Sequence, residues 1–209
     1  MHESNIETAS AATWGGGTRP FSMGSKKLGM WLFIVSDSLT FASMLLAYSY
    51  ERLCNPDWPR PFEFNPAILK GSGLTAILLA SSLTMVMAVA AAARNNRKAA
   101  VRWILATMLG GILFVLLHLT EWFKLLGEGV TPWSNPWNVP LFGATFFGVT
   151  GLHMLHVSIG VMYLGIIATG FGTGHWTAED VEVSGLYWHF VDLVWMFVFP
   201  MIYLMSVKI

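Results

Sequence analysis

GSGLTAILLASSLTMVMAVAAAARNNRKAAVRWILATMLGGILFVLLHLTEWFKLL, residues 71–126, decides the architecture. It contains two apolar runs, 71–93 and 101–126, separated by Arg94-Asn95-Asn96-Arg97-Lys98. A bilayer core about 30 Å thick takes about 20 apolar residues of helix, so each run is long enough to cross once. The turn between them carries three cations and belongs at a membrane surface. The stretch therefore reads as two spans joined by a tight basic turn.

Three more windows of the same kind flank it, at residues 28–50, 139–169 and 186–207. The connectors are turn-rich. Residues 51–70 hold Pro56, Pro59, Pro61 and Pro66, and residues 128–138 hold Pro132 and Pro136 with Trp133 and Trp137, which suit an interfacial aromatic belt. Residues 170–185 hold His175, Glu179, Asp180 and Glu182. The expected fold class is an all-α integral membrane protein, a bundle of five transmembrane helices. A polar tail, residues 1–27, precedes the membrane domain, residues 28–209.

Composition agrees. The 209 residues are 55% hydrophobic and 11% charged, against about 25% charged in ordinary soluble domains. The first residues lack the apolar core of a cleavable signal peptide, so the tail is expected to be cytoplasmic. A net charge of zero leaves no basic patch for nucleic acid. The single cysteine, Cys54, fits no metal-ligand spacing and has no internal disulfide partner. Orientation follows the distribution of Lys and Arg. With the N-terminus inside, seven face the cytoplasm (Arg19, Lys26, Lys27, Arg94, Arg97, Lys98, Arg102) and five face out (Arg52, Arg60, Lys70, Lys124, Lys208). That places the N-terminus in the cytoplasm and the C-terminus outside. Small residues recur within the spans, as at Gly110-Gly111 and Gly148 to Gly151, where they let helix backbones approach closely.

Ionisable side chains inside a span cost a few kcal/mol each on insertion scales, so each is a functional candidate. They are Asp37 in the first window, His118 and Glu121 in the third, His153 and His156 in the fourth, and His189 and Asp192 in the fifth. Glu182 stands just before the fifth. Three pairs are spaced i,i+3 and project from one helix face, as ligands do in di-metal bundles. Depth opposes a single metal centre: His118 and Glu121 lie about 25 Å or more above the cytoplasmic end of their helix, His189 and Asp192 only about 5–10 Å. A b-type haem between His153 or His156 and His189 is a second reading. A third is structural, with His153 or His156 bonding Asp192 or backbone carbonyls. Asp37 has no evident cationic partner in the other spans. Its carboxyl is expected to stay neutral, to face water or a partner subunit, or to serve near a proton path. No nucleophile or phosphate-loop motif occurs.

Two segments carry a resemblance. Residues 146–160, with Thr150-Gly151-Leu152-His153-Met154-Leu155-His156-Val157 and then Gly160, are similar to the Thr-Gly-Phe-His-Gly-Leu-His-Val-x-x-Gly segment of subunit III of haem–copper terminal oxidases. Glu182 and then Tyr187-Trp188-His189-Phe190-Val191-Asp192-Leu193-Val194-Trp195 resemble that family's Tyr-Trp-His-Phe-Val-Asp-x-Val-Trp and its preceding Glu. Ser36-Asp37 and Ser81-Ser82-Leu83-Thr84 extend the likeness toward the N-terminus. His118 stands where the family commonly has Gln, Met154 replaces a Gly, and the first two helices of the seven-helix members are missing.

The resemblance implies the five-helix bacterial form of an accessory subunit with no redox centre or metal of its own. It would pack against the catalytic subunit I, which bears haem and copper, and against other oxidase subunits in the bacterial inner membrane. It implies bound phospholipid, with support of proton uptake and turnover stability while the complex reduces oxygen to water. Asp37, His153, His156, His189 and Asp192 are all expected in the cytoplasmic half, and the acidic last connector with His175 is expected to attract protons. Two other assignments stay open at this point. One is the accessory subunit of a nitric-oxide reductase system, which shares the five-helix form; the other is an autonomous membrane haem or di-metal enzyme.

Overall fold

The computed structural model describes residues 24–62 and 68–207. Most of the polar tail, with Arg19, lies outside the described residues, as do Pro66 and Lys208. Five long helices follow in order: α1 Ser25–Cys54, α2 Leu69–Ala93, α3 Arg97–Gly127, α4 Pro140–Thr173 and α5 Ala178–Val198. All five are long and apolar enough to cross a membrane, and no strand occurs among the described residues. The protein is an all-α membrane protein, as its apolar windows imply.

Local chemistry sets the helix ends. Asn95 takes a positive φ of 58° in the α2–α3 turn, a conformation Asn tolerates. Asn96 then caps α3, its side chain accepting from the Ala99 N–H at 3.2 Å. Pro140 starts α4, where its missing N–H has no partner to lose. Gly174, at φ 88°, ends it in the left-handed conformation.

Two boundaries differ from the sequence expectation. α4 runs through Gly170 and Gly172 to Thr173, and α5 begins at Ala178, so the expected connector 170–185 shrinks to residues 174–177. Glu179, Asp180 and Glu182 are therefore helical. Asp180 drives the early start, because its Oδ2 accepts from the Thr177 N–H and Oγ1, both at 2.8 Å. At the other end, Pro200 interrupts the fifth span. Phe199–Tyr203 form a π-helical turn and Leu204–Ser206 a 3₁₀ turn, since proline lacks an N–H and crowds the preceding turn.

Helix α5 is the centre of the bundle. It packs on α1, α2 and α4, while α2–α3, α3–α4 and α1–α4 contacts form an arc around it. Over half of its apolar window is buried, against a third or less in the other four. Trp188 shows how closely the helices approach. Its ring occupies a socket whose walls are Gly111 on α3 and Gly160 on α4, and its Nε1 donates to Ser81 Oγ on α2 at 3.1 Å. The outward faces are apolar, with Leu39, Leu46, Leu109 and Met162 all exposed, as a lipid-facing surface requires.

After α1 the chain folds back over one end of the bundle. Trp58 packs edge-on between Tyr48 and Phe142. The Phe62 N–H donates to Ser206 O at 3.4 Å, and its ring stacks on Tyr203. Tyr48 Oη and Ser206 Oγ lie 2.9 Å apart, tying α1 to the chain beyond α5.

Candidate functional site

The buried polar groups form four local arrangements, and the members of the pairs His118/Glu121 and His153/His156 go to different partners. Asp37 has a partner that its sequence context does not reveal. Its Oδ1 lies 3.6 Å from His156 Nε2, with both side chains 13% exposed, at the junction of α1 and α4. Tyr187 of α5 donates to His156 O at 3.0 Å, and its hydroxyl is also 3.3 Å from His156 Nδ1. Phe33 and Phe41 of α1 pack against the same imidazole. Asp37 Oδ2 makes no hydrogen bond. A carboxyl, an imidazole and a phenol thus meet between three helices.

His153 points elsewhere, into the interior of the bundle. Counting rise from the ends near the basic turn puts His118 on α3 and His153 on α4 each about 30 Å in, against about 18 Å for Asp37. Both imidazoles sit in an aromatic box. His153 stacks on Trp195 and meets Phe114 edge-on, while His118 stacks on Phe114 and meets Trp195 edge-on. Both residues are at most 1% exposed, and none of their four ring nitrogens has a hydrogen-bond partner. The expected bond from His153 or His156 to Asp192 is not formed, because α4 directs His153 toward α3 and His156 toward α1.

Glu121, one turn beyond His118, pairs with Lys70 at the start of α2, 3.2 Å away. His189 Nδ1 lies 2.6 Å from Ser82 Oγ on α2. Asp192 is buried, and its Oδ1 has no partner. Among the described residues no three His, Cys, Asp or Glu side chains are grouped to hold a metal ion.

At the end near the basic turn, two ion pairs join α1 to α5. Lys26 Nζ lies 2.6 Å from Asp180 Oδ1, and Lys27 Nζ lies 2.7 Å from Glu182 Oε1. These four residues precede the apolar windows of their helices. Burial alone would push the Asp180 carboxyl up, but hydrogen bonds from Lys26 and Thr177 outweigh it and hold the group below the ordinary carboxylate range. Of the acidic residues expected in the last connector, Asp180 and Glu182 are thus engaged in ion pairs, while His175 is exposed beside Thr173 Oγ1 at 2.9 Å.

Helix order, the Trp188 socket and the conjunction of Asp37 with His156 invite comparison with known proteins. Residues 5–207 match the family described as cytochrome c oxidase subunit III. The chain is 31% identical over 191 residues to cytochrome bo(3) ubiquinol oxidase subunit 3 of Pseudomonas aeruginosa, covering 88% of this chain and 87% of that protein. It is 31% identical over 186 residues to cytochrome c oxidase subunit 3 of Alkalihalophilus pseudofirmus, covering 88% of each. With cytochrome c oxidase subunit 3 of Synechocystis the identity is 34% over 186 residues, 86% of this chain and 76% of that one. Relatives named for quinol and for cytochrome c thus match alike. A match of this length, carried by a five-helix membrane bundle, leads to one assignment: the chain belongs to the cytochrome c oxidase subunit III family of the haem–copper oxidases.

Proposed function

We propose that this chain is the accessory, non-redox subunit of a bacterial haem–copper terminal oxidase, in the inner membrane with its N-terminus cytoplasmic and its C-terminus outside. In this reading it packs on the catalytic subunit I, which carries the haem and copper. It binds phospholipid, supports proton uptake and protects the complex during oxygen reduction to water. Family membership and the apolar outer faces of α1 and α3 support the packing role. The basic turn at Arg94 to Lys98 supports the orientation.

The observation that carries the proton role is the Asp37–His156 pair. A carboxyl inside a span is costly to keep for packing alone, and here it faces an imidazole 3.6 Å away rather than a permanent cation. Carboxyl and imidazole side chains within spans are the groups from which proton relays are built. The pair lies at the α1–α4 junction, with Phe33, Phe41 and Tyr187 around the imidazole.

The test is Asp37→Asn in the assembled oxidase. Amide for acid nearly preserves volume and hydrogen bonding, so the complex assembles with unchanged subunit stoichiometry. Oxygen consumption, measured between about pH 6 and 9 at equal haem content, should fall below wild type most at the alkaline end, where proton supply limits. Superimposable pH profiles would remove the proton role and leave family membership intact.

A further inference from the structure

Four lysines elsewhere in the described residues, Lys26, Lys27, Lys70 and Lys124, each lie 2.6–3.8 Å from a carboxylate. Arg97, Lys98 and Arg102 differ. They are exposed and have no carboxylate partner among the described residues. Together with Val101 and Gly172 they line a cavity of about 530 Å³ between the start of α3 and the end of α4. The Arg97 guanidinium lies over the end of α4: a methyl group on Gly174, which ends that helix, would come within 2.6 Å of its Nη1.

The cavity has a polar rim and an apolar continuation. Leu105 lies one helical turn from Val101, on the membrane side, and Leu109 one turn further; both are exposed, as are Ile166 and Met162 on α4. Three cations without a carboxylate partner among the described residues, above an apolar track, match a ligand with an anionic head and a hydrocarbon tail. The volume falls within the range of about 300–1,000 Å³ usual for small-ligand sites. Basic pockets between helices at a membrane surface are suited to phosphate head groups, and guanidinium forks bind phosphate oxygens in pairs.

We propose that this cavity binds the head group of an anionic phospholipid, its phosphate held by Arg97, Lys98 and Arg102 and one acyl chain lying along Leu105 and Leu109. The proposal rests on the lipid-binding part of the proposed function and names the site and the lipid class. Topology alone accounts for a basic turn, but not for three cations converging on one cavity. Arg94, in the same turn and outside the cavity, separates the two effects.

The experiment is native mass spectrometry of the full-length chain in mild detergent, titrated with phosphatidylglycerol, phosphatidylcholine or inorganic phosphate. Wild type retains phosphatidylglycerol and not phosphatidylcholine at equal concentration. Each charge removed costs about fivefold in affinity, so Arg97→Gln with Arg102→Gln weakens retention about 25-fold. Arg94→Gln costs less than about twofold. Should the double Gln variant fail to fold, Lys98→Gln, at an exposed side chain, reads the same loss singly.

Retention unchanged in both the double Gln variant and Lys98→Gln overturns this site while leaving lipid binding by the chain standing. No retention by wild type overturns the site and the broader lipid reading together. The site is also overturned if Arg94→Gln costs as much as Lys98→Gln, or if phosphatidylcholine is held equally well. Binding of inorganic phosphate alone, with full displacement of the lipid, would assign the cavity to a free anion and overturn the lipid head group.

Discussion

Glycine at position 160 is where one α4 residue decides how closely α5 can approach. A methyl group there would lie 3.0 Å from Tyr187 and 3.1 Å from Trp188, tighter than packed carbon atoms tolerate. Gly160→Val should therefore displace both rings and cost about 1–3 kcal/mol, the usual penalty for overpacking. Gly73→Val, at a position with nothing within 4 Å, should be nearly neutral. Thermal unfolding of the two variants in the same detergent distinguishes them; equal losses would mean that the Trp188 socket does not limit packing. The same Tyr187 also donates to the His156 carbonyl. The candidate residues were legible in the sequence because charge and imidazole stand out within apolar runs. Their partners were not. Spacing i,i+3 put His153 and His156 on one face of α4, yet the rotation between them sends one toward α3 and the other toward α1. Which helix stands on which side is a property of the bundle, and no single span encodes it. For the same reason the approach of His118 to the Trp195 box that also holds His153 was out of reach of a depth count.

Among the elements, α5 is both the most buried and the most dependent on its first turn. Asp180 starts the helix through Thr177 and ties it to α1 through Lys26. Its carboxyl is held below the ordinary range, so its contribution to stability is complete above the unfolded value of about 4. It is lost as pH falls through the lower folded value. Asp180→Asn should accordingly lower the thermal midpoint at neutral pH, and the gap from wild type should narrow as the buffer is taken below about pH 4. A gap that persists unchanged in acid would assign the loss to packing rather than to charge. The five spans themselves were legible because length and hydropathy are enough to define a crossing. Their ends were less so. Gly170 and Gly172 look like breakers, but the helix continues through both, and a side chain at Gly170 would collide with Trp176. Pro200 lies within an apolar window whose hydropathy conceals the π-helical turn it imposes.

At the scale of the whole molecule, the bundle buries its polar groups in pairs and boxes while leaving apolar helix faces outward. Leu32, Leu39, Leu46 and Leu53 on α1, and Leu105, Leu109 and Leu116 on α3, are all exposed. Lipid or neighbouring subunits must cover such faces, because water would not tolerate them. In the proposed function, part of this surface meets a larger haem-bearing subunit. The direct measurement is purification of the affinity-tagged chain from its native membranes in mild detergent, with visible spectra of the eluate and of the chain after dissociation. The account predicts that a larger haem- and copper-bearing subunit co-elutes in constant ratio with oxygen-reducing activity, and that the dissociated chain has no visible band. A chain that elutes without a haem protein, or that retains a stoichiometric haem band when separated, would contradict it.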